Sequence, residues 1–149
     1  MPSGSAADSF AQREAVPFAT GQYLDTPVRD IMTPGVVAIS EDAAIRHTYR
    51  VMIVHHVHAV LVVGRRNAKP LGWVTTRGLL AWLEREGSLA SARDAITQRP
   101  VTIEPSATAK EALVALAQPN VSHLLVAHHP DLTPEGVVTA MDLMALAVR

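Results

Sequence analysis

Residues 70–81 read PLGWVTTRGLLA and residues 134–145 read PEGVVTAMDLMA, and one lies on the other without a gap. Pro70 falls on Pro134, Gly72 on Gly136, Thr75 on Thr139 and Leu79 on Leu143, a displacement of 64 residues. The same displacement carries VRDIMT at 28–33 onto ARDAIT at 92–97 and VAI at 37–39 onto VTI at 101–103. It also carries VHAVLVV at 57–63 onto VSHLLVA at 121–127. The matches gather in apolar runs and at turn residues, so the chain is an internal duplication of one structural unit.

Each copy parses in the same way. A short β-branched run comes first, at 36–39 and at 101–103. A polar start then opens a helix, with Ser40, Glu41 and Asp42 in the first copy and Ser106 as N-cap in the second. In the second copy SATAKEALVALAQ places Ala109, Ala112, Leu113, Leu116 and Ala117 at helical spacing, and Pro119-Asn120 ends it. Two strands follow, at 60–63 and 71–75 and again at 124–127 and 136–138, joined by the turn-rich segments GRRNAKP and HHPDLTP. A last helix closes each copy, at 78–86 and 141–148. The expected order is β-α-β-β-α twice, an α+β fold with pseudo-two-fold symmetry. Residues 1–24 read as a flexible tail, 25–86 as repeat one, GSLAS at 87–91 as a linker and 92–149 as repeat two.

Composition narrows the function. Of 149 residues, 48% are apolar but only 4% aromatic, which calls for an aliphatic core. Thirteen Lys and Arg lie scattered among fourteen Asp and Glu, without the basic stripe of a nucleic-acid binder. The absence of cysteine removes disulfides, thiolate nucleophiles and Cys-type metal sites. The N-terminal residues lack a signal-peptide pattern and no apolar run reaches a membrane-spanning length, so a cytoplasmic protein is expected, with neither membrane nor nucleic acid as partner.

The string GVVTAMDL at 136–143 carries the chemistry. Gly136 permits close backbone approach, Val137 and Val138 suit a buried strand, and Thr139 and Asp142 fall at the strand-to-helix turn. An ionised Asp only accepts hydrogen bonds, which suits the two hydroxyls of a ribose, while Thr139 can donate to a phosphate or ribose oxygen. The same two residues are also good helix caps, and capping alone is the competing explanation.

A duplication of this length ending in G-x-V-T-x-x-D-L, with Ile31-Met32-Thr33-Pro34 entering the first strand and V-x-x-L-L-V at 121–126, resembles a tandem pair of CBS domains over residues 28–149. The resemblance implies a non-catalytic regulatory module with two pseudo-symmetric ligand sites between the repeats. It implies a better site at Thr139, Asp142, Ser122 and His123 with Thr33, Pro34, Val36 and Val37. The valines would sandwich an adenine and Ser122 and His123 would reach phosphate. In the other site Gly78 stands where the carboxylate is expected, leaving a weaker pocket of His58, Thr75, Thr97, Val101 and Thr102. The ligand implied contains adenosine: AMP, ADP, ATP, S-adenosylmethionine or a dinucleotide, in energy sensing.

Other constellations are weaker. Seven histidines, His47, His55, His56, His58, His123, His128 and His129, carry no metal-binding spacing, so neither a metal nor a resident cofactor is expected. No nucleophile elbow, carboxylate pair or phosphate-cradling glycine loop is present, and no enzyme is expected. The closing helix, LMALAV after Asp142, is apolar on every face, and the helix at 45–54 is similarly crowded, which points to a homodimer. Two readings remain: an adenosyl-ligand sensor acting on a separate target protein, or a structural dimerisation module with a vestigial cleft.

Overall fold

The apolar run of each copy becomes a strand buried on both faces. The computed structural model describes residues 22–84 and 91–148. In chain order it contains β1 (Thr33–Pro34), β2 (Ala38–Ser40), α1 (Ile45–His55), β3 (Ala59–Val63), β4 (Pro70–Thr75) and α2 (Thr76–Glu84). These are followed by β5 (Thr102–Ile103), α3 (Ala109–Leu116), β6 (His123–Ala127), β7 (Pro134–Thr139) and α4 (Ala140–Ala147). Short 3-10 turns stand at Gln22–Asp25, Val28–Asp30 and Ala92–Ala95. The fold is α+β with two small sheets and two tandem repeats, as the duplication requires.

One sheet runs β2-β3-β4 and the other β1-β7-β6-β5. In each, the first strand after the leading segment pairs parallel with the next, and the hairpin that follows is antiparallel. Alternation along β3 sends Val60 and Val62 under α1 and α2, and Ala59 and Leu61 to the other side. Along β6, Leu124 and Val126 pack under α3 and α4, while Leu125 and Ala127 face the first sheet. The two sheets therefore meet face to face through Ala59, Leu61, Trp73, Leu125 and Ala127, with helices on the outer sides. Double burial explains why these strands read as continuous apolar runs rather than alternating ones. Trp73 is the largest side chain in this seam, and its buried Nε1 has no hydrogen-bond partner among the described residues.

The leading segment of each repeat crosses to the other. Val28 N–H donates to Ala107 C=O at 2.7 Å and Arg29 N–H to Pro105 C=O at 3.0 Å. Sixty-four residues on, Ala92 N–H donates to Ala43 C=O at 2.7 Å and Arg93 N–H to Glu41 C=O at 3.0 Å. Val28 and Ile31 thus fill the core of the second repeat, and Ala92 and Ala95 that of the first. Beyond these turns β1 pairs antiparallel with β7, Pro34 opposite Gly136, and Gln98 bridges Trp73 on β4. The crossing decides the two glycines of the repeated motif. A Cβ on Gly136 would stand 2.7 Å from Thr33 O, and one on Gly72 would stand 2.7 Å from Gln98 O.

Several boundaries differ from the sequence expectation. Ser106 is not the N-cap of α3: Thr108 is, accepting from Glu111 N–H at 3.3 Å while Glu111 Oε2 accepts from Thr108 N–H at 3.1 Å. The capping box T-x-x-E fits the spacing that Ser106 lacks. In the first copy Ser40 donates to Asp42 within a turn, and Ala44 precedes α1 without a side-chain cap. The strand of the first β-branched run spans Ala38–Ser40 rather than starting at Val36, and α2 begins at Thr76. The tail expected at 1–24 lies largely outside the described residues, but Tyr23 packs against the second core. The linker expected at 87–91 lies outside them too, except for Ser91.

Candidate functional site

The crossing segments place Thr33 over the last helix of repeat two and Thr97 over the last helix of repeat one. Both last helices start directly at the end of a β-strand, so a side chain in their first turn faces the crossing segment. Asp142 stands in the first turn of α4, where a negative charge complements the helix dipole. Its Oδ2 accepts from Thr139 N–H at 2.8 Å and from Thr139 Oγ1 at 3.3 Å. Its Oδ1 accepts from Thr33 Oγ1 at 3.3 Å. The capping role weighed from sequence is therefore present, and a contact from the other repeat is added to it.

Around α2 the same geometry lacks a carboxylate. Thr97 Oγ1 lies 3.4 Å from Thr75 Oγ1, and Gly78 N–H donates to Thr75 Oγ1 at 3.1 Å. A cavity of about 530 Å³ opens here between the repeats. Its walls come from both: Thr75, Thr76, Arg77 and Gly78 on one side, Asn120, Ser122 and His123 on the other, with His58, Thr97 and Gln98 between them. Ser122 and His123, which the sequence reading grouped with Asp142, line this cavity with Thr75 and Gly78, while His123 also stays within electrostatic reach of Asp142. His123 pairs in register with Thr139, yet its ring lies 5.3 Å from the ring of Trp73.

The expected residues thus divide into three groups. His58, Thr75, Thr97, Ser122 and His123 are brought to one cavity. Thr33, Thr139 and Asp142 form one hydrogen-bonded cluster, with Pro34 beside it on β1. The valines are separated. Val36 packs into the seam between the sheets and Val37 against the first core, because consecutive residues of an extended chain face opposite ways. Val101 packs against the second core and Thr102 on β5 pairs with Leu125 on β6, and neither lines the cavity.

Gln98, within the expected segment 97–102, lines the cavity, and Thr76, Arg77, Ala81 and Asn120 line it too but were missed. Asn120 adopts φ 61°, as His56 adopts φ 52° at the matching position of repeat one. Asn after Pro119 at a helix end is the residue expected to take that left-handed conformation, so a signal was present. Arg77 gave none, since a surface Arg has no periodicity to read.

Polar order in the cavity is well defined. Gln98 Oε1 accepts from Ser122 N–H at 3.3 Å and from Ser122 Oγ at 2.9 Å. Ser122 Oγ also lies 2.7 Å from His123 Nδ1. Burial, with a smaller contribution from His58, pushes His123 below the ordinary imidazole pKa, and Asp142 opposes this. Among the described residues no group of three or more His, Cys, Asp or Glu could hold a metal ion, and no helix is long and apolar enough to cross a membrane. His128 sits instead between Glu104 and Glu135, at 3.5 and 3.4 Å.

The CBS domain profile matches residues 28–85 and again 92–149. Among solved structures, the CBS domain of a bacterial CNNM/CorC family Mg2+ transporter in complex with ATP superposes with a TM-score of 0.76 at 24% identity, over 92% of this chain and 97% of that one. A CBS domain protein from Pyrobaculum aerophilum complexed with AMP gives 0.69 at 20% identity, over 83% and 99%. An uncharacterized conserved protein from Pyrococcus horikoshii gives 0.72 at 17% identity, over 85% and 95%. No curated protein matches the sequence.

Proposed function

Because this chain belongs to the CBS-domain family, as a tandem pair spanning 28–85 and 92–149, we propose that it is a non-catalytic regulatory module that binds an adenosine nucleotide between its repeats. The observation that carries the reading is the inter-repeat cavity of about 530 Å³, walled by both repeats and rich in side-chain donors and acceptors. That volume falls within the roughly 300–1,000 Å³ of small-molecule sites. Structures of the same fold that are complexed with AMP or ATP support the choice of ligand class. A ligand held by both repeats would fix the angle between them, and a separate target protein would sense that angle.

The module acts as a homodimer in this reading. Tyr49, Ile53 and Val54 on α1 and Met141 and Met144 on α4 are exposed, while each helix keeps its other face in the core. A self-contact would cover this apolar surface. The structural alternative keeps the dimer and leaves the cavity empty.

A thermal-shift series with AMP, ADP, ATP and S-adenosylmethionine separates the two readings. A compound at about 100 times its Kd raises stability by about 2.7 kcal/mol. No shift with any of them at millimolar concentration overturns the sensor reading.

A further inference from the structure

We propose that the notch beside the β3–β4 turn, lined by Arg65, Arg66 and Lys69, docks an acidic peptide segment of the target protein. The inference rests on the regulatory reading for the existence of a target. The notch shares no residue with the cavity between the repeats, so the two sites can be tested apart.

The first observation is a surplus of positive charge. The notch encloses about 320 Å³ between Glu41 and the turn at 64–69, with Leu71 in its lining. Glu41 Oε1 accepts from Arg93 at 3.0 Å, and Asp42 lies 3.8 Å from Arg65. Arg66 and Lys69 are exposed and make no ion pair among the described residues. Arg65, Arg66, Lys69 and Arg93 thus outnumber Glu41 and Asp42, in a chain whose formal net charge is -1. A local surplus of this kind draws anions to it.

The second observation is that closing the hairpin does not require those cations. Ala68 N–H donates to Gly64 C=O at 2.9 Å, and in the second repeat Leu132 N–H donates to His128 C=O at 2.8 Å. Ala68 and Leu132 both take a left-handed φ, 56° and 55°. Each hairpin also shifts register at the matching place, after Val62 and after Val126. The second repeat reaches this closure with His129, Pro130 and Thr133 in place of Arg65, Arg66 and Lys69. The duplication is its own control: the charge belongs to one copy and the turn to both.

The third observation selects the kind of anion. A compact phosphate is usually held by converging backbone N–H groups. Here they are spent inside the turn. Gly64 N–H donates to Lys69 C=O at 2.9 Å, Arg65 N–H to Glu41 Oε2 at 3.1 Å and Lys69 N–H to Asn67 Oδ1 at 3.1 Å. Side-chain cations remain, and the Glu41 carboxylate in the same lining disfavours a single concentrated negative charge. Leu71, 36% exposed, offers an apolar contact that phosphate would leave unused. No aromatic side chain is among the described residues of the lining, so a nucleobase has nothing to stack on. An extended chain that spaces its carboxylates around an apolar side chain fits this surface.

Fluorescence anisotropy on the full chain tests the proposal, with a labelled peptide of alternating Glu and Leu as the probe. The peptide is expected to bind at low ionic strength and to weaken as added salt screens the exposed charges. Arg66→Glu and Lys69→Glu should each weaken it at least ~5-fold. Lys110→Glu on α3, the same change of charge outside the notch, should weaken it less than ~2-fold. Should a reversed charge prevent folding, Lys69→Gln and the salt dependence of the wild type carry the test. Equal losses in the notch and α3 variants, or binding unmoved by salt, overturn the inference. Tighter binding of inorganic tripolyphosphate or of a single-stranded oligonucleotide than of the peptide overturns it too. A chain that ignores the peptide but is stabilised by AMP loses the docking site and keeps the nucleotide reading. Peptide binding with no stabilisation by any nucleotide does the reverse, and neither response overturns both.

Discussion

The hydroxyl of Thr33 donates to Asp142 Oδ1 across 3.3 Å, tying the first strand of one repeat to the last helix of the other. Its counterpart Thr97 meets no carboxylate among the described residues and lies 3.4 Å from the hydroxyl of Thr75. The duplication is thus nearly symmetric in backbone and asymmetric in charge. A carboxylate offers about four lone-pair sites, and Asp142 already accepts from three donors. A ribose diol at that carboxylate would have to share it with Thr33 or displace it.

Asp142→Ala is expected to separate the two roles of this residue. Loss of the helix cap costs ~1 kcal/mol, which a denaturation midpoint will register. If the carboxylate also holds a ribose hydroxyl in the proposed complex, AMP affinity falls roughly 10- to 100-fold, as for one hydrogen bond to a charged acceptor. A variant that melts earlier yet binds AMP like the wild type assigns Asp142 to capping alone.

Gly78→Asp rebuilds the missing carboxylate where the cavity lies. A Cβ there would stand 2.6 Å from Thr97 Cγ2, so the exposed Thr97 side chain must turn away from its present rotamer. The matching pair, Thr33 with Asp142, shows that a Thr and an Asp fit this geometry. The variant is expected to fold and to bind AMP at least tenfold more tightly, through one or both ribose hydroxyls. Unchanged AMP affinity in a folded variant would mean that the cavity does not present a ribose to position 78.

Much of this was legible in the residues. Register alone gave the repeats, because the doubly buried strands β3 and β6 repeat their apolar run at one displacement. Asp142 and Thr139 were legible through helix-start chemistry. The exchange of leading segments was not. β1 is only Thr33 and Pro34, too short for any alternation, and its partner Gly136 is over a hundred positions away. Which repeat Ser122 and His123 serve depends on that exchange, so their grouping with Asp142 could not be tested from spacing. The separation of Val36 from Val37 follows from strand alternation, and a two-residue stretch hides it.

Gly136→Ala measures the crossing itself. The new Cβ would lie 2.7 Å from a backbone oxygen, Thr33 O, and 2.7 Å from Met32 Sδ. The sulfur can move but the carbonyl is held by the β1–β7 pairing. Overpacking of this kind costs about 1–3 kcal/mol. Chemical denaturation should show the loss, and a variant as stable as the wild type would mean that β1 does not press on β7 in solution.

The last prediction concerns self-association. Met144 on α4 and Ile53 on α1 are 59% and 57% exposed, so charging them leaves the cores untouched. Leu143 is a poorer probe than its neighbour, because it packs against the second core and its substitution would confuse unfolding with dissociation. Sedimentation or light scattering of the wild type at micromolar concentration is expected to give about twice the chain mass. Ile53→Glu and Met144→Glu should each shift the protein toward single chains, since an unpaired charge in an apolar contact costs several kcal/mol. Thermal melts of the isolated chains should stay cooperative, because a surface substitution changes stability by only about 0.5 kcal/mol. A wild type that sediments as a single chain removes the dimer, and these helix faces would then need another partner to cover them. A dimer that survives both substitutions places its seam elsewhere on the surface.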